Sequence, residues 1–155
     1  MDPVILHPVW KETGMFQKIV YAADGSNHAR RALVYTQESA EKHETEVIVV
    51  FAFEVVSRIW GDGNLEERFA ARVSRGEKLV EEPLQPLPEV GVETEAEVLE
   101  DPAAEVLLKV AETWEADLII MGTRGVSGTT SLLLGSTSHR VTAHSPGPVM
   151  AVPAA

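Results

Sequence analysis

The chain contains no cysteine among its 155 residues. That absence excludes disulfide scaffolds, thiol catalysis and every thiolate metal site. No apolar run approaches the ~20 residues that a membrane-spanning helix requires, so no membrane partner is expected. Positive charge is scarce: 13 Lys and Arg stand against 24 Asp and Glu, a formal net charge of -11 at pH 7. Phosphate backbones attract clustered Lys and Arg, so a nucleic-acid partner is excluded as well. Taken as a whole-chain number, the acidity also argues against small phosphorylated ligands. The first residues, with Asp2, Pro3, His7, Pro8 and Trp10, lack the charged start and apolar stretch of a secretory signal. A soluble, cytoplasmic protein is the expectation. What is present is ordinary: 45% hydrophobic and 24% charged residues describe a globular chain and not a disordered or fibrous one. At this length one domain is expected, able to bury roughly two thirds of its unfolded surface.

Residues 1–15 read as an irregular N-terminal extension, because Pro3, Pro8 and Gly14 interrupt every candidate period. The domain proper is placed at residues 16–155. Lys18 to Ala23 is a short strand signal, and Asp24-Gly25-Ser26 is a turn that offers helix N-cap oxygens. Ala29, Ala32, Leu33, Thr36 and Ala40 then recur at helical spacing. Val47 to Phe53 is apolar without alternation and rich in β-branched and aromatic residues, which suits a strand covered on both faces. After Gly61-Asp62-Gly63, a helical stripe of Leu65, Phe69, Val73, Gly76 and Val80 is expected to stop at Pro83, Pro86 and Pro88. Val90 to Val98 alternates with Glu93, Glu95 and Glu97, which marks an edge strand with one wet face. Asp101 or its neighbour is expected to cap a helix with Pro102 in its first turn and a stripe of Val106, Leu107, Val110, Ala111 and Trp114. Leu118 to Met121 is a further apolar strand, Gly135-Ser136 opens a helix through Val141, and Val149 to Val152 forms a last strand after Pro146-Gly147-Pro148. The sum is βαβαβαβαβ. Right-handed crossovers turn it into an α/β fold, a doubly wound five-stranded parallel sheet with helices on both faces.

The chemistry concentrates in Gly122-Thr123-Arg124-Gly125, nine further residues, then Gly135-Ser136-Thr137-Ser138. A glycine-bearing loop leaving a strand lets the backbone approach an anion closely. A helix starting near Gly135 adds unsatisfied N–H groups and a positive dipole end. Hydroxyls at Ser136, Thr137 and Ser138, with Arg124 nearby, complete an anion cradle. The bland alternative is that these glycines serve turns and Ser136 caps a helix. There is no G-x-x-x-x-G-K-[ST], so the lysine of P-loop enzymes has no counterpart. Asp24-Gly25-Ser26 is not G-x-G-x-x-G, so the dinucleotide fingerprint is missing too. A ligand bound here need not be turned over.

The Tyr21-to-Ser26 block, Ala116 to Gly125, and Leu134-Gly135-Ser136 followed by Pro148-Val149 resemble the universal stress protein family over residues 16–153. The complete G-x2-G-x9-G-[ST] spacing resembles its ATP-binding branch. That resemblance implies ribose beside Asp24 and Gly122, and adenine paired with main chain near Ala52, with Ala22 and Ala23 lining the first strand. It implies phosphates over Gly125, Gly135, Ser136 and Ser138. ATP, or AMP or ADP, is the implied ligand, with Mg²⁺ bound through the phosphates and no protein side chain as metal ligand. A strand order of 3-2-1-4-5 puts the ligand crevice between strands 1 and 4. The resemblance also implies a homodimer paired through Val149, Met150, Ala151 and Val152. Two departures stand out: Glu100 precedes Asp101-Pro102 where the family commonly has Gly, and Gly147-Pro148 replaces a common Cys-Pro.

Other features carry bland readings. His28, His43, His139 and His144 form no ligand pair at metal spacing, and His139 and Arg140 read as solvated helix residues. Gly125-Val126-Ser127-Gly128 lacks the G-x-S-x-G elbow of a hydrolase. Trp60 either packs on the second helix or is an exposed interaction residue. The leading expectation is an adenine-nucleotide-binding stress regulator or sensor. A weak Mg-dependent ATPase and a structural partner protein with a vestigial pocket are the alternatives. All 24 acidic residues lie at or before Asp117, so the charge is -13 over residues 1–117 and +2 over residues 118–155. The segment carrying the cradle is therefore cationic, and the whole-chain argument against phosphorylated ligands fails.

Overall fold

The computed structural model describes residues 16–43, 45–54, 64–85, 87, 92–124 and 134–154. Residues 1–15, Trp60, the Gly61-Asp62-Gly63 break, Val90 and Gly125 lie outside these, as does the side chain of His43. The elements alternate: β1 Lys18–Ala22, α1 Asn27–His43, β2 Glu46–Phe53, α2 Leu65–Leu84, β3 Thr94–Glu100, α3 Ala103–Thr113, β4 Leu118–Gly122, α4 Ser136–His144 and β5 Val149–Val152. They build one all-parallel sheet in the order β3-β2-β1-β4-β5.

The three central strands are apolar at successive positions because both of their faces are covered. Ile19, Tyr21, Val49, Phe51 and Ile120 point to the layer of α1 and α2, packing with Ala32, Ala40 and Val80. Val20, Ile48, Val50, Ile119 and Met121 point the other way, onto Val106, Leu107 and Val110 of α3 and Val141 of α4. Ile19, Ile120 and Val141 are completely buried, and each such side chain stabilises the fold by about 1.5–3 kcal/mol relative to exposure. At the amino end of the sheet, Asp117 Oδ2 accepts the N–H groups of Gln17 at 2.7 Å and Lys18 at 3.0 Å, tying β1 to β4. Trp114 ends α3 half-buried against the second layer, with Lys18 Nζ 5.7 Å from its ring centroid.

Several boundaries differ from expectation. α2 runs through Pro83 to Leu84. Pro83 gives the ladder no N–H, yet it is buried and Gln85 N–H still reaches Glu81 O at 3.3 Å, so the helix continues past it. Leu65 and Phe69 of the α2 stripe are 45% and 41% exposed, and Phe69 meets Phe53 edge-on at 5.6 Å between ring centroids. β3 starts at Thr94 and extends to Glu100, because Leu99 and Glu100 keep pairing with Ala52 and Phe53. Asp101 does not cap α3. Its N–H bonds Phe53 O at 3.0 Å, prolonging the strand ladder, and Pro102 occupies the N-cap position without a side-chain bond. α4 continues past Val141 to His144.

α2 approaches the sheet most closely at Gly76, which is buried in the helix interior. A Cβ there would lie 2.5 Å from Phe51 Cδ1 and 2.7 Å from Val98 Cγ1. Gly76→Val is expected to destabilise the protein by about 2 kcal/mol through overpacking. Urea unfolding would read this as a lower midpoint at constant m value; an unchanged midpoint would contradict the close approach.

Candidate functional site

β1 and β4 lie side by side in the sheet, yet the chain leaves them in opposite directions, to β2 on one side and β5 on the other. Their connections therefore part and leave a crevice at the carboxyl ends of the two strands. Two loops meet there. The first follows β1: Ala23 N–H bonds Val50 O at 2.9 Å, and Asp24 Oδ1 accepts Ser26 N–H at 2.8 Å. Gly25 makes the turn with φ of +78°, a conformation that glycine adopts without Cβ strain. Ser26 Oγ then accepts Ala29 N–H at 3.1 Å and caps α1. Tyr21 braces the same turn from below, its hydroxyl donating to Ala29 O at 2.7 Å.

The second loop follows β4. Gly122 lies against the first turn of α1: a Cβ there would sit 2.5 Å from His28 Cβ and 2.9 Å from Ala29 N. Thr123 comes next and organises the site through its main chain. Its N–H bonds Val152 O at 3.0 Å, and its carbonyl accepts both Gly135 N–H at 2.6 Å and Ser138 Oγ–H at 2.7 Å. The start of α4 is thereby fastened to the end of β4. Thr123 Oγ1 lies 3.0 Å from His28 Nδ1, which also accepts Ala154 N–H at 2.9 Å. His28 thus joins the segment after β5 to the β4 loop.

The expected site residues fall into groups. Asp24 and Gly122 border the crevice. Ala22 and Ala52 are partly buried on the α3 and α4 side of the sheet, whereas Ala23 is buried in the opposite layer. Gly135 is the α4 N-cap, and no side chain caps the helix, so Ser136 does not serve as a cap. Among the described residues the N–H groups of Ser136, Thr137 and Ser138 have no partner, as the opening of an uncapped helix dictates. The Ser138 side chain is 2% exposed and its one proton is engaged by Thr123. The Arg124 guanidinium has no carboxylate partner among the described residues, whereas Arg140 pairs with Glu105 at 2.5 Å on the surface of α3. Two contributors escaped the sequence reading, the Thr123 carbonyl and His28 as an acceptor, while Ser26 is one of the cap oxygens expected of its turn. Thr123, inside the glycine stretch, had a signal that pointed to it; His28 had none.

Residues 15–153 match the universal stress protein family. The chain belongs to that family. It is 40% identical over 139 residues to the universal stress protein in the QAH/OAS sulfhydrylase 3′ region of Thermus aquaticus, covering 89% of this chain and 99% of that one. Among solved structures, the hypothetical protein MJ0577 superposes with a TM-score of 0.82 at 26% identity, covering 90% of this chain and 96% of that one. A universal stress protein in complex with cAMP gives 0.66 at 20% identity, over 91% and 99% of the two chains. The universal stress protein of Archaeoglobus fulgidus in complex with dAMP gives 0.64 at 20% identity, over 89% and 98%. At such identities the last two likenesses bear on the fold, and they share the universal stress architecture described above.

Burial pushes the Tyr21 hydroxyl well above its ordinary pKa, with the Asp24 and Glu82 carboxylates adding to the rise and Arg30 opposing it. Below pH 10.0, the ordinary tyrosine value, folded and unfolded chains both hold the phenolic proton, and this group adds no pH dependence. Above it the unfolded chain releases the proton while the folded chain retains it, so stability falls as pH rises. Tyr21→Phe is expected to remove this part of the alkaline loss. It also costs about 1 kcal/mol at neutral pH, because the bond from the buried hydroxyl to the Ala29 carbonyl is lost. Denaturant midpoints at neutral and alkaline pH check both; a variant as alkali-sensitive as the parent would contradict this environment of Tyr21.

Proposed function

We propose that this universal stress protein binds an adenine nucleotide in the β1/β4 crevice, with ATP as its working ligand, and serves as a cytoplasmic stress regulator or sensor. The observation that carries the reading is the uncapped start of α4, fastened beside the end of β4 at the point where the strand order reverses. Three N–H groups that have no partner among the described residues, together with the positive helix end, favour phosphate oxygens. The Ser136 and Thr137 hydroxyls and Arg124 supply further donors, while Ser138 supports the cradle through Thr123. Asp24 repels phosphate and suits ribose hydroxyls, which sets the direction of the ligand with its phosphates toward α4. Ala22 and Ala52 are small enough to leave room for a flat base at the carboxyl end of the sheet. The solved relatives in complex with cAMP and dAMP support this ligand class.

The residues fit a nucleotide with Mg²⁺ held through its phosphates, where the ion would neutralise charge. Gly125 belongs to the same proposal as the close-approach glycine of the phosphate loop. β5 ends the sheet with Val149, Met150 and Ala151 half-buried. Pairing of this edge with its copy gives the proposed homodimer.

Calorimetric titration with ATP, AMP and adenosine tests the reading. Gly135→Val is expected to weaken ATP by about tenfold or more, roughly 1.4 kcal/mol, and adenosine far less, because adenosine has no phosphate to exclude. Equal losses for both ligands would displace the phosphates from α4. Asp24→Ala is expected to weaken both. If it preserved affinity and abolished Mg-dependent turnover, a weak ATPase would be the better description. No binding at millimolar nucleotide would leave a structural protein with a vestigial pocket.

A further inference from the structure

Among the described residues the sheet has a second open edge, at β3, and it differs from β5 in chemistry. Val47 N–H bonds Glu93 O at 2.9 Å and Asp101 N–H bonds Phe53 O at 3.0 Å, so the odd-numbered residues of β3 direct their main-chain groups to β2. By the alternation of a parallel ladder, the N–H and C=O groups of Thr94, Ala96, Val98 and Glu100 face the open side. One face of β3 is covered, since Val98 packs with α2. The other is covered only in part: Leu99 packs against the α3 layer, while α3 lies mainly over β1, β2 and β4.

A groove of about 290 Å³ results between β3 and α3. Its floor is apolar, made by Leu99, Val106, Val110 and Trp114. Its rim carries Glu97, Glu100, Asp101 and Glu105 against the single cation Lys109. Glu105 is already paired with Arg140, and the other three carboxylates have no ion-pair partner among the described residues. Glu95 extends the acidic line on the same strand face.

These features select one occupant. A second copy of this edge would set glutamates against glutamates, and the chain's net charge of -11 adds to that repulsion. A free small cation would meet the carboxylates but leave the outward main-chain groups and the apolar floor unused. An extended peptide with Lys or Arg at alternate positions meets all three. We propose that β3 and its groove dock an extended basic segment of a partner protein. The segment adds as a sixth strand beside β3 and seats one apolar side chain over Leu99 and Trp114. Affinity comes from the main-chain bonds and the apolar anchor, and the carboxylates select the partner and speed encounter.

The probe is a fluorescein-labelled synthetic peptide of about nine residues alternating Lys with Val and Leu, titrated into the full chain by fluorescence anisotropy. Saturable binding is expected that weakens several-fold between about 50 and about 300 mM salt. Hydrogen exchange at the Ala96 and Val98 amides is expected to slow on binding. Glu97→Lys combined with Glu100→Lys should weaken the peptide by about tenfold or more. Ala96→Pro removes an outward N–H without altering charge or the ladder to β2, and should weaken it similarly. A peptide of equal charge with Pro at the apolar positions tests strand addition on the unaltered protein, so a misfolded variant does not decide the outcome. No binding by about 1 mM, equal binding of the proline peptide, or unprotected β3 amides in the complex would overturn the proposal.

Discussion

Parallel pairing of β1 with β4, Ile19 against Leu118, Val20 against Ile119 and Tyr21 against Ile120, is the contact on which the carboxyl end of the molecule depends. It brings together two loops separated by about a hundred residues, close enough for Ser26 Oγ to lie 3.4 Å from Arg124 O. The pairing is stable because these side chains are buried on both faces of the sheet. It also forces a tight junction, since α1 must begin where β4 ends. Gly122 admits that junction, and the first turn of α1 is held at Ala29, whose N–H bonds Ser26 Oγ and whose carbonyl accepts the Tyr21 hydroxyl.

From that junction outward the site is built on main-chain groups more than on charged side chains. The Thr123 carbonyl uses both lone pairs to dock α4, and the Thr123 N–H and the His28 ring fasten the β5 end to the same loop. A helix start held this rigidly keeps its N–H groups aimed in one direction, which is the preorganisation an anion site needs. The charge distribution is consistent with this division of labour. Carboxylates populate α2, β3 and α3, while the β4, α4 and β5 region carries none beyond Asp117. A single chain thus carries a segment free of carboxylates at the β4–α4 side of the crevice and, across the sheet, an acidic edge.

Legibility in the sequence tracked how local each physical cause was. The unbroken apolar runs at Val47–Phe53 and Leu118–Met121 announced doubly covered strands, and the glutamate alternation through Glu95 and Glu97 announced an edge. Those signals arise from a residue's own burial and so survive without coordinates. Termini were less legible. Asp101 looks like a cap, but its N–H is claimed by Phe53, and Pro83 looks like a stop, but it lies buried inside the last turn of α2. The first outcome was set by a partner far away in sequence. The same holds for Ser138, whose hydroxyl reads as a ligand donor in the motif and is engaged by the carbonyl of Thr123 in the fold.

By itself the sequence determined the class of the molecule: alternating strand and helix periods, the strand that stands at an edge, the glycine and hydroxyl stretch that marks the carboxyl end of β4, and the separation of acidic from basic segments. These follow from residue type and spacing, which the chain carries in any conformation. Tertiary structure alone decided which polar groups remain available. Among the described residues, Gly135 N–H and Ser138 Oγ–H are used internally while the next N–H groups of α4 are not, and β3 keeps one face only partly covered because α3 lies mainly over its neighbours. Hydrogen-bonding capacity is a quantity each group can spend once, and only the packed chain shows where it was spent.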